Sequence, residues 1–333
     1  MEAISYERAS DVAGAIRSAQ QPGTAFIGGG TNLLDLMKGG VARPVRLVDI
    51  THIRGLDSVD ALPNGGLRIG ALVRNSDAAN HATVRSRYPL LTQALLAGAS
   101  AQLRNMATVG GNLMQRTRCN YFYDPAFARC NKREPGSGCA AIDGHTRMHA
   151  ILGASPQCIA VNPSDMSVAL AALDAVVRVN GPHGERTIAF GDFHRLPGDR
   201  PDLDTTLRPG ELITSVDLPP PLYSDHAYYL KVRDRASYAF ALVSVAAALQ
   251  MDGGTIRSAR IALGGVAHRP WRANAAEQML AGQALNDANL QAAAAAALRD
   301  ARPQRDNAFK IQLAQRSIVR ALKEAAQQPG GVA

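Results

Sequence analysis

Apolar residues recur at helical spacing over residues 7–19 (Val12, Ala13, Ile16, Ala19), and Pro22-Gly23 ends that helix. Thr24-Ala25-Phe26-Ile27 predicts a short strand running straight into Gly28-Gly29-Gly30-Thr31-Asn32, after which residues 33–38 predict a helical turn. Apolar runs at 45–50 and 67–72 predict strands. Residues 75–77 start a short helix, and 89–99 form a helix with an Ala/Leu face. A second apolar segment, 107–109, enters the pair Gly110-Gly111. Farther on, Ser164 stands as N-cap and Asp165 as first-turn acid of an apolar helix over 166–173. Strands follow at 175–179, 186–190 and 211–218, with a Pro/Gly-rich loop over 197–210. Pro219-Pro220-Pro221 then breaks the chain. Beyond it the pattern changes to three strands (226–233, 242–250, 255–263) followed by three helices (270–281, 286–300, 307–326). Strands then helices imply a separate α+β unit, so the division is 1–222 and 223–333.

The order strand, glycine loop, helix start at 24–38 suits an anion, because glycines let backbone N–H groups crowd around it. Pyrophosphate is the natural guest. A dinucleotide fingerprint is the rival: Gly28-x-Gly30 supplies its first half, and Asp49 stands 19 residues past Gly30. Leu33 occupies the sixth position, where that motif needs Gly or Ala for close helix–strand packing. A plain structural turn is the third reading. Two glycine loops about 80 residues apart can converge on one extended anionic cofactor.

Composition narrows the class. The 333 residues suffice for two or three domains, and 46% hydrophobic with 19% charged residues describes a globular chain. Aromatics at 5% and scattered basic residues argue against nucleic-acid binding despite a net charge of +8. No stretch reaches 18 uncharged apolar residues, so no membrane span is expected. The N-terminal residues show no secretory signal; the expectation is a cytoplasmic protein, or a periplasmic one exported with a signal-bearing partner.

All four cysteines, Cys119, Cys130, Cys139 and Cys158, fall within 40 positions. Arg104, Arg116, Arg118, Arg129, Lys132, Arg133 and Arg147 lie around them, which suits a site carrying negative charge. The chain has no C-x-x-C pair of the kind structural zinc sites use, and four thiolates suit a [4Fe–4S] cluster. Zinc, two disulfides and inert buried thiols stay open on residue types alone.

Several segments together resemble one family. Phe26-Ile27-Gly28-Gly29-Gly30-Thr31-Asn32-Leu33-Leu34, Thr108-Val109-Gly110-Gly111-Asn112-Leu113, Ser164-Asp165 before an Ala/Leu helix, and Leu263-Gly264-Gly265-Val266-Ala267 with Pro270 and Arg272 are similar to the flavoprotein subunits of molybdenum hydroxylases. That class includes xanthine dehydrogenases, carbon monoxide dehydrogenases and aldehyde oxidoreductases. The resemblance implies an α+β chain: a two-part FAD-binding domain of the vanillyl-alcohol-oxidase type, then the family's C-terminal α+β domain with a three-stranded sheet and helices. Gly111 and Ser164 are 53 apart here, where most of the family has a short link. The insertion, about 114–162, carries Arg118-Cys119-Asn120-Tyr121-Phe122-Tyr123-Asp124 and the other three cysteines. It resembles the cluster-bearing FAD subunits of bacterial periplasmic aldehyde oxidoreductases, and Arg233-Asp234-Arg235-Ala236-Ser237-Tyr238-Ala239-Phe240 is similar to them too.

By that resemblance, residues Phe26 to Leu34 hold the FAD pyrophosphate, and Thr108, Gly111 and Asn112 make a second cofactor contact. Asp165 binds a polar part of FAD, Ile213 lies beside it, and Lys231 approaches the flavin. The four cysteines ligate a [4Fe–4S] cluster. Gly98 stands where xanthine oxidoreductases place an aromatic, so their acceptor preference does not carry over. The implied role is electron transfer within a heterotrimer or higher assembly. A molybdenum-cofactor subunit oxidises an aldehyde, a [2Fe–2S] subunit relays, and FAD here passes electrons to an external acceptor. No residue of this chain is expected to act on the aldehyde. A self-sufficient flavoenzyme and a zinc-stapled scaffold are the rivals.

Overall fold

The computed structural model describes residues 3–328; Met1, Glu2 and residues 329–333, the outer ends of the two expected domains, lie outside the described residues. Three sheets organise the chain. The first joins β1 (Ser5–Arg8), β2 (Thr24–Ile27) and β3 (Arg46–Asp49), all parallel, in the order β1-β3-β2 with Phe26 opposite Val48. Helix Val12–Ala19 crosses over between the first two strands and is capped by Asp11, whose carboxylate accepts from the N–H of Gly14. The second sheet takes β4 (Val59–Ala61), β5 (Leu67–Gly70), β6 (Val176–Gly181), β7 (Gly184–Ala189) and β8 (Leu212–Leu218) in the antiparallel order β4-β5-β8-β6-β7. Between β5 and β6 the chain leaves the sheet for about a hundred residues. That excursion contains helix Pro89–Ala97, the insertion, and helix Asp165–Ala172, which is buried on every side.

The third sheet holds β9 (Ala227–Val232), β10 (Val243–Asp252), β11 (Thr255–Gly264), β12 (Trp271–Arg272) and β13 (Gln283–Ala284). Its expected three strands are its long ones, but the sheet has five, because Trp271–Arg272 and Gln283–Ala284 both pair with β11. The helix expected from 270 therefore starts only at Asn274. Helices Asp287–Ala297 and Phe309–Gln327 complete the layer, and the latter packs along β9 and β10. Apolar cores lie on both sides of this sheet: alanines 246, 248 and 262 face helix Asp165–Ala172, while Val243, Val245 and Ala247 face the C-terminal helices. Alternation along one strand thus seals two layers at once.

No described helix is long and apolar enough to cross a membrane.

Candidate cofactor and thiol site

The loop from Gly28 to Thr31 lies flat against residues 106–108. A side chain on Gly29 would place its Cβ 1.8 Å from the carbonyl oxygen of Met106, and Gly30 holds a φ of +72°. Only glycine meets both demands. Among the described residues nothing accepts from the backbone N–H groups of Gly29, Gly30, Thr31 and Asn32, so four successive donors are left without a protein partner. Phe26 to Leu33, Thr108, Gly111 and Ile213 line one cavity of about 430 Å³; Leu34 stands half-exposed beside it. Unpaired donors on an apolar-walled cleft are what a pyrophosphate-containing cofactor such as FAD requires, and the residues fit it.

The Gly110-Gly111 pair is not a loop. It forms the first turn of helix Val109–Leu113, capped by Thr108, whose hydroxyl accepts from Gly111 N–H at 3.1 Å. Gly110 donates to Ala71 O at 2.8 Å, so its bareness serves close packing, and it offers no free donor to a ligand. Asn112 accepts from the Ser164 hydroxyl at 2.7 Å, and Asn32 donates to Gly111 O at 3.3 Å. These two asparagines tie the glycine loop, the capped turn and the helix at Asp165 into one wall. Asp49, the acid of the rival dinucleotide reading, is buried and taken up by Tyr6, Arg8 and Thr51, in a sheet of three strands.

A second chamber of about 380 Å³ has Asp165, Asn162, Arg118, Phe240, Ser244 and Gly265 among its lining. Asp165 is buried and accepts from Tyr229 OH and Lys231 Nζ, each at 2.7 Å; Lys231 also donates to Ala97 O at 3.1 Å. Lys231 thus stands behind Asp165 as a buried counter-charge rather than on the chamber surface. A Cβ on Gly98 would sit 3.4 Å from Asp165, so bareness there leaves room for the carboxylate. Burial and the neighbouring carboxylate of Asp165 push the Tyr229 phenol well above its usual range.

All four cysteines line a third, small cavity. They are free thiols, which overturns the disulfide reading. Cys130 and Cys139 face each other across an antiparallel bridge, and Cys158 bridges back to Ser155. The segment has little regular structure, and side chains hold its backbone instead. Asn131 donates to Gln157 O at 3.0 Å and accepts from Gly138 N–H at 2.8 Å. Arg133 donates to the carbonyls of Tyr121, Phe122 and Phe127. Lys132, fully buried, donates to Pro201 O at 2.8 Å and to Asp204, which also takes Arg116 at 2.6 Å. Burial opposes ionisation of Asp204, but Lys132 and Arg116 outweigh it and hold the carboxyl at about 2. The basic residues expected to offset a bound negative charge are therefore mostly engaged: Arg118 with Asp35, Arg129 with Asp143, and Arg147 with Asp234.

Burial pushes the Cys119 thiol up to about 12, and that of Cys158 to about 11 against the pull of Lys132. A bare thiolate is thus disfavoured there, and a cationic metal group is what would hold it ionised. Among the described residues no group of three or more His, Cys, Asp or Glu side chains is arranged to hold a single metal ion, which weighs against one zinc. What the structure shows is four free thiols lining one cavity of about 10 Å³.

His149 was invisible to motif reasoning, and no spacing signal marks it. Its Nε2 lies 3.1 Å from the Cys119 sulfur, and burial, with the nearby Lys310 charge, lowers it to about 4, so the ring is neutral. Cys119 lines both the thiol cavity and the second chamber, and His149 lines the chamber.

Comparison with known proteins agrees with this geometry. The profile of the FAD binding domain in molybdopterin dehydrogenase matches residues 2–221, and that of the CO dehydrogenase flavoprotein C-terminal domain matches residues 228–325. The chain is 54% identical over 330 residues to the aldehyde oxidoreductase FAD-binding subunit PaoB of Escherichia coli (strain K12), spanning 98% of this chain and 100% of that one. It is 30% identical over 285 residues to the glyceraldehyde dehydrogenase medium chain of Sulfolobus acidocaldarius, spanning 85% and 83%. Among solved structures, quinoline 2-oxidoreductase from Pseudomonas putida 86 superposes with a TM-score of 0.76 at 26% identity, covering 98% of each chain. The chain belongs to the FAD-binding subunits of the molybdenum hydroxylases and is an oxidoreductase subunit.

Proposed function

We propose that this chain is the FAD- and [4Fe–4S]-containing electron-transfer subunit of a molybdenum-dependent aldehyde oxidoreductase. It would receive electrons from a [2Fe–2S] subunit of an assembly that also holds the molybdenum-cofactor catalytic subunit, and pass them to an external acceptor. Similarity to the aldehyde oxidoreductase subunit supports the substrate class. The observation that carries the cluster is the meeting of all four free thiols on one cavity. When bound, FAD exchanges electrons singly or in pairs and an iron–sulfur cluster exchanges them singly.

The chain's own residues bind and orient. The unpaired N–H groups of Gly29 to Asn32 receive the pyrophosphate, with Thr108 and Gly111 as opposite wall and Ile213 as apolar contact. Asn112 acts indirectly, by holding Ser164 and so the start of the helix that carries Asp165. Asp165 presents a carboxylate fixed by Tyr229 and Lys231 to a cofactor hydroxyl. Cys119, Cys130, Cys139 and Cys158 are the metal ligands. Export to the periplasm with a signal-bearing partner is the location we infer.

Iron and sulfide analysis of anaerobically purified complex tests this reading. About four of each per chain are expected, and Cys130→Ser should lose the cluster's broad visible absorbance. One zinc per chain without iron would sink it.

A further inference from the structure

We propose that His149 donates a hydrogen bond from Nε2–H to the sulfur of Cys119 and thereby raises the reduction potential of the cluster held there. The inference rests on the four-thiol cluster reading above.

The geometry assigns the proton. Nε2 lies 3.1 Å from the sulfur, while Nδ1 is buried with no partner among the described residues. A buried N–H without an acceptor is rarer and more costly than a buried lone pair without a donor. The single ring proton therefore belongs on Nε2, aimed at sulfur. The backbone that carries the ring is also held. The main-chain N–H of His149 donates to Thr146 O at 2.9 Å, and its main-chain carbonyl accepts from Asn307 and Lys310, each at 3.0 Å. Both of those side-chain donors come from the C-terminal unit, so the His149 backbone is anchored from outside the cysteine segment.

No other cysteine receives this treatment. Cys158 accepts from the backbone N–H of Ala160 at 3.5 Å, and among the described residues no further side-chain N–H reaches any of the four sulfurs. Cys119 is also the cysteine that lines the second chamber, beside Asp165. A donor to a ligating sulfur stabilises the added electron, and hydrogen bonds to sulfur are among the levers that set cluster potentials. The effect is therefore placed on the ligand that lines the chamber of Asp165. His149 is a positioning residue: it touches a ligand and leaves the acceptor and the aldehyde to others.

The test uses the intact anaerobic complex, with potentiometric titration followed by EPR of the reduced cluster. His149→Leu should keep its iron and its flavin but lower the cluster midpoint by about 59 mV, a tenfold change in a one-electron equilibrium. His149→Gln, which keeps an N–H donor, should recover part of that shift. A merely structural role for the ring would leave the midpoint in place. An unchanged midpoint in an iron-replete His149→Leu protein overturns this inference alone, whereas wild-type complex without iron overturns the cluster reading and this inference with it. If His149→Leu loses its iron, the wild type decides: pulsed EPR should show a weak nitrogen coupling to the reduced cluster that changes on 15N-histidine labelling, and its absence refutes the hydrogen bond.

Discussion

Replacing Asp204 by Asn strips the buried lysine under the cysteine segment of its counter-charge. Arg116 keeps 29% of its side chain exposed and can turn to water, but Lys132 keeps 1% and has only the Pro201 carbonyl left. Removing one partner of a buried pair costs about 3–5 kcal/mol. With an unfolding entropy of about 2.1 cal/mol/K per residue, a chain of this length loses about 6 °C in melting midpoint for about 4 kcal/mol. Calorimetry of wild type and Asp204→Asn measures it. The double variant with Lys132→Met should recover most of the loss, because no charge is then left unpaired. The same carboxyl sets an acid limit: held at about 2 against an ordinary 3.8, it contributes about 2 kcal/mol above pH 3.8, lost as pH falls through its folded value. A single variant within 1–2 °C of wild type (about 1 kcal/mol on the same scale), or a double variant worse than the single, would refute the reasoning.

Gly29→Ala pushes a methyl to 1.8 Å from Met106 O, forcing a backbone shift in the loop of unpaired donors. Flavin retention, read from absorbance after dialysis, should fall about tenfold or more, as a strain above about 1.4 kcal/mol implies; Gly191→Ala, with nothing within 4 Å, should leave it unchanged. Lys310, buried without a carboxylate partner among the described residues, is lowered by burial and by Arg147 to about 7. Between about pH 7 and 10.5 the unfolded chain binds more protons there, so this group makes stability rise with pH by up to about 1.4 kcal/mol per unit; Lys310→Met should remove that increment, seen as the difference between urea midpoints of the two proteins at pH 7, 8 and 9.

The legible parts were those whose signal is local. The long strands β9 to β11 and the helices after them follow alternation and helical period, and the Ser164 cap behaves as its sequence position implies, its hydroxyl accepting from Ser167 N–H at 3.0 Å. β12 and β13 were not legible, since two-residue strands are defined by the edge of β11 and not by their own sequence. The glycine pair at 110–111 reads as a loop in sequence but is the first turn of a short helix, because Thr108 caps it and Ala71 accepts the Gly110 N–H from another part of the chain. Clustering of the cysteines in sequence is matched by their meeting on one cavity. Lys132 with Asp204, 72 positions away, and His149 with Cys119, 30 away, carry no spacing code, because irregular backbone places side chains one at a time.

The clamp on the His149 carbonyl has a consequence for biosynthesis. Lys310 lies 161 residues downstream of the group it holds. At about 5–20 residues per second, the His149 carbonyl waits roughly 8–30 s for its Lys310 donor after the last cysteine has been made. Any group that binds these thiols meets the segment without that clamp during the interval and with it afterwards. Slowing translation between 160 and 310 should lengthen the first state.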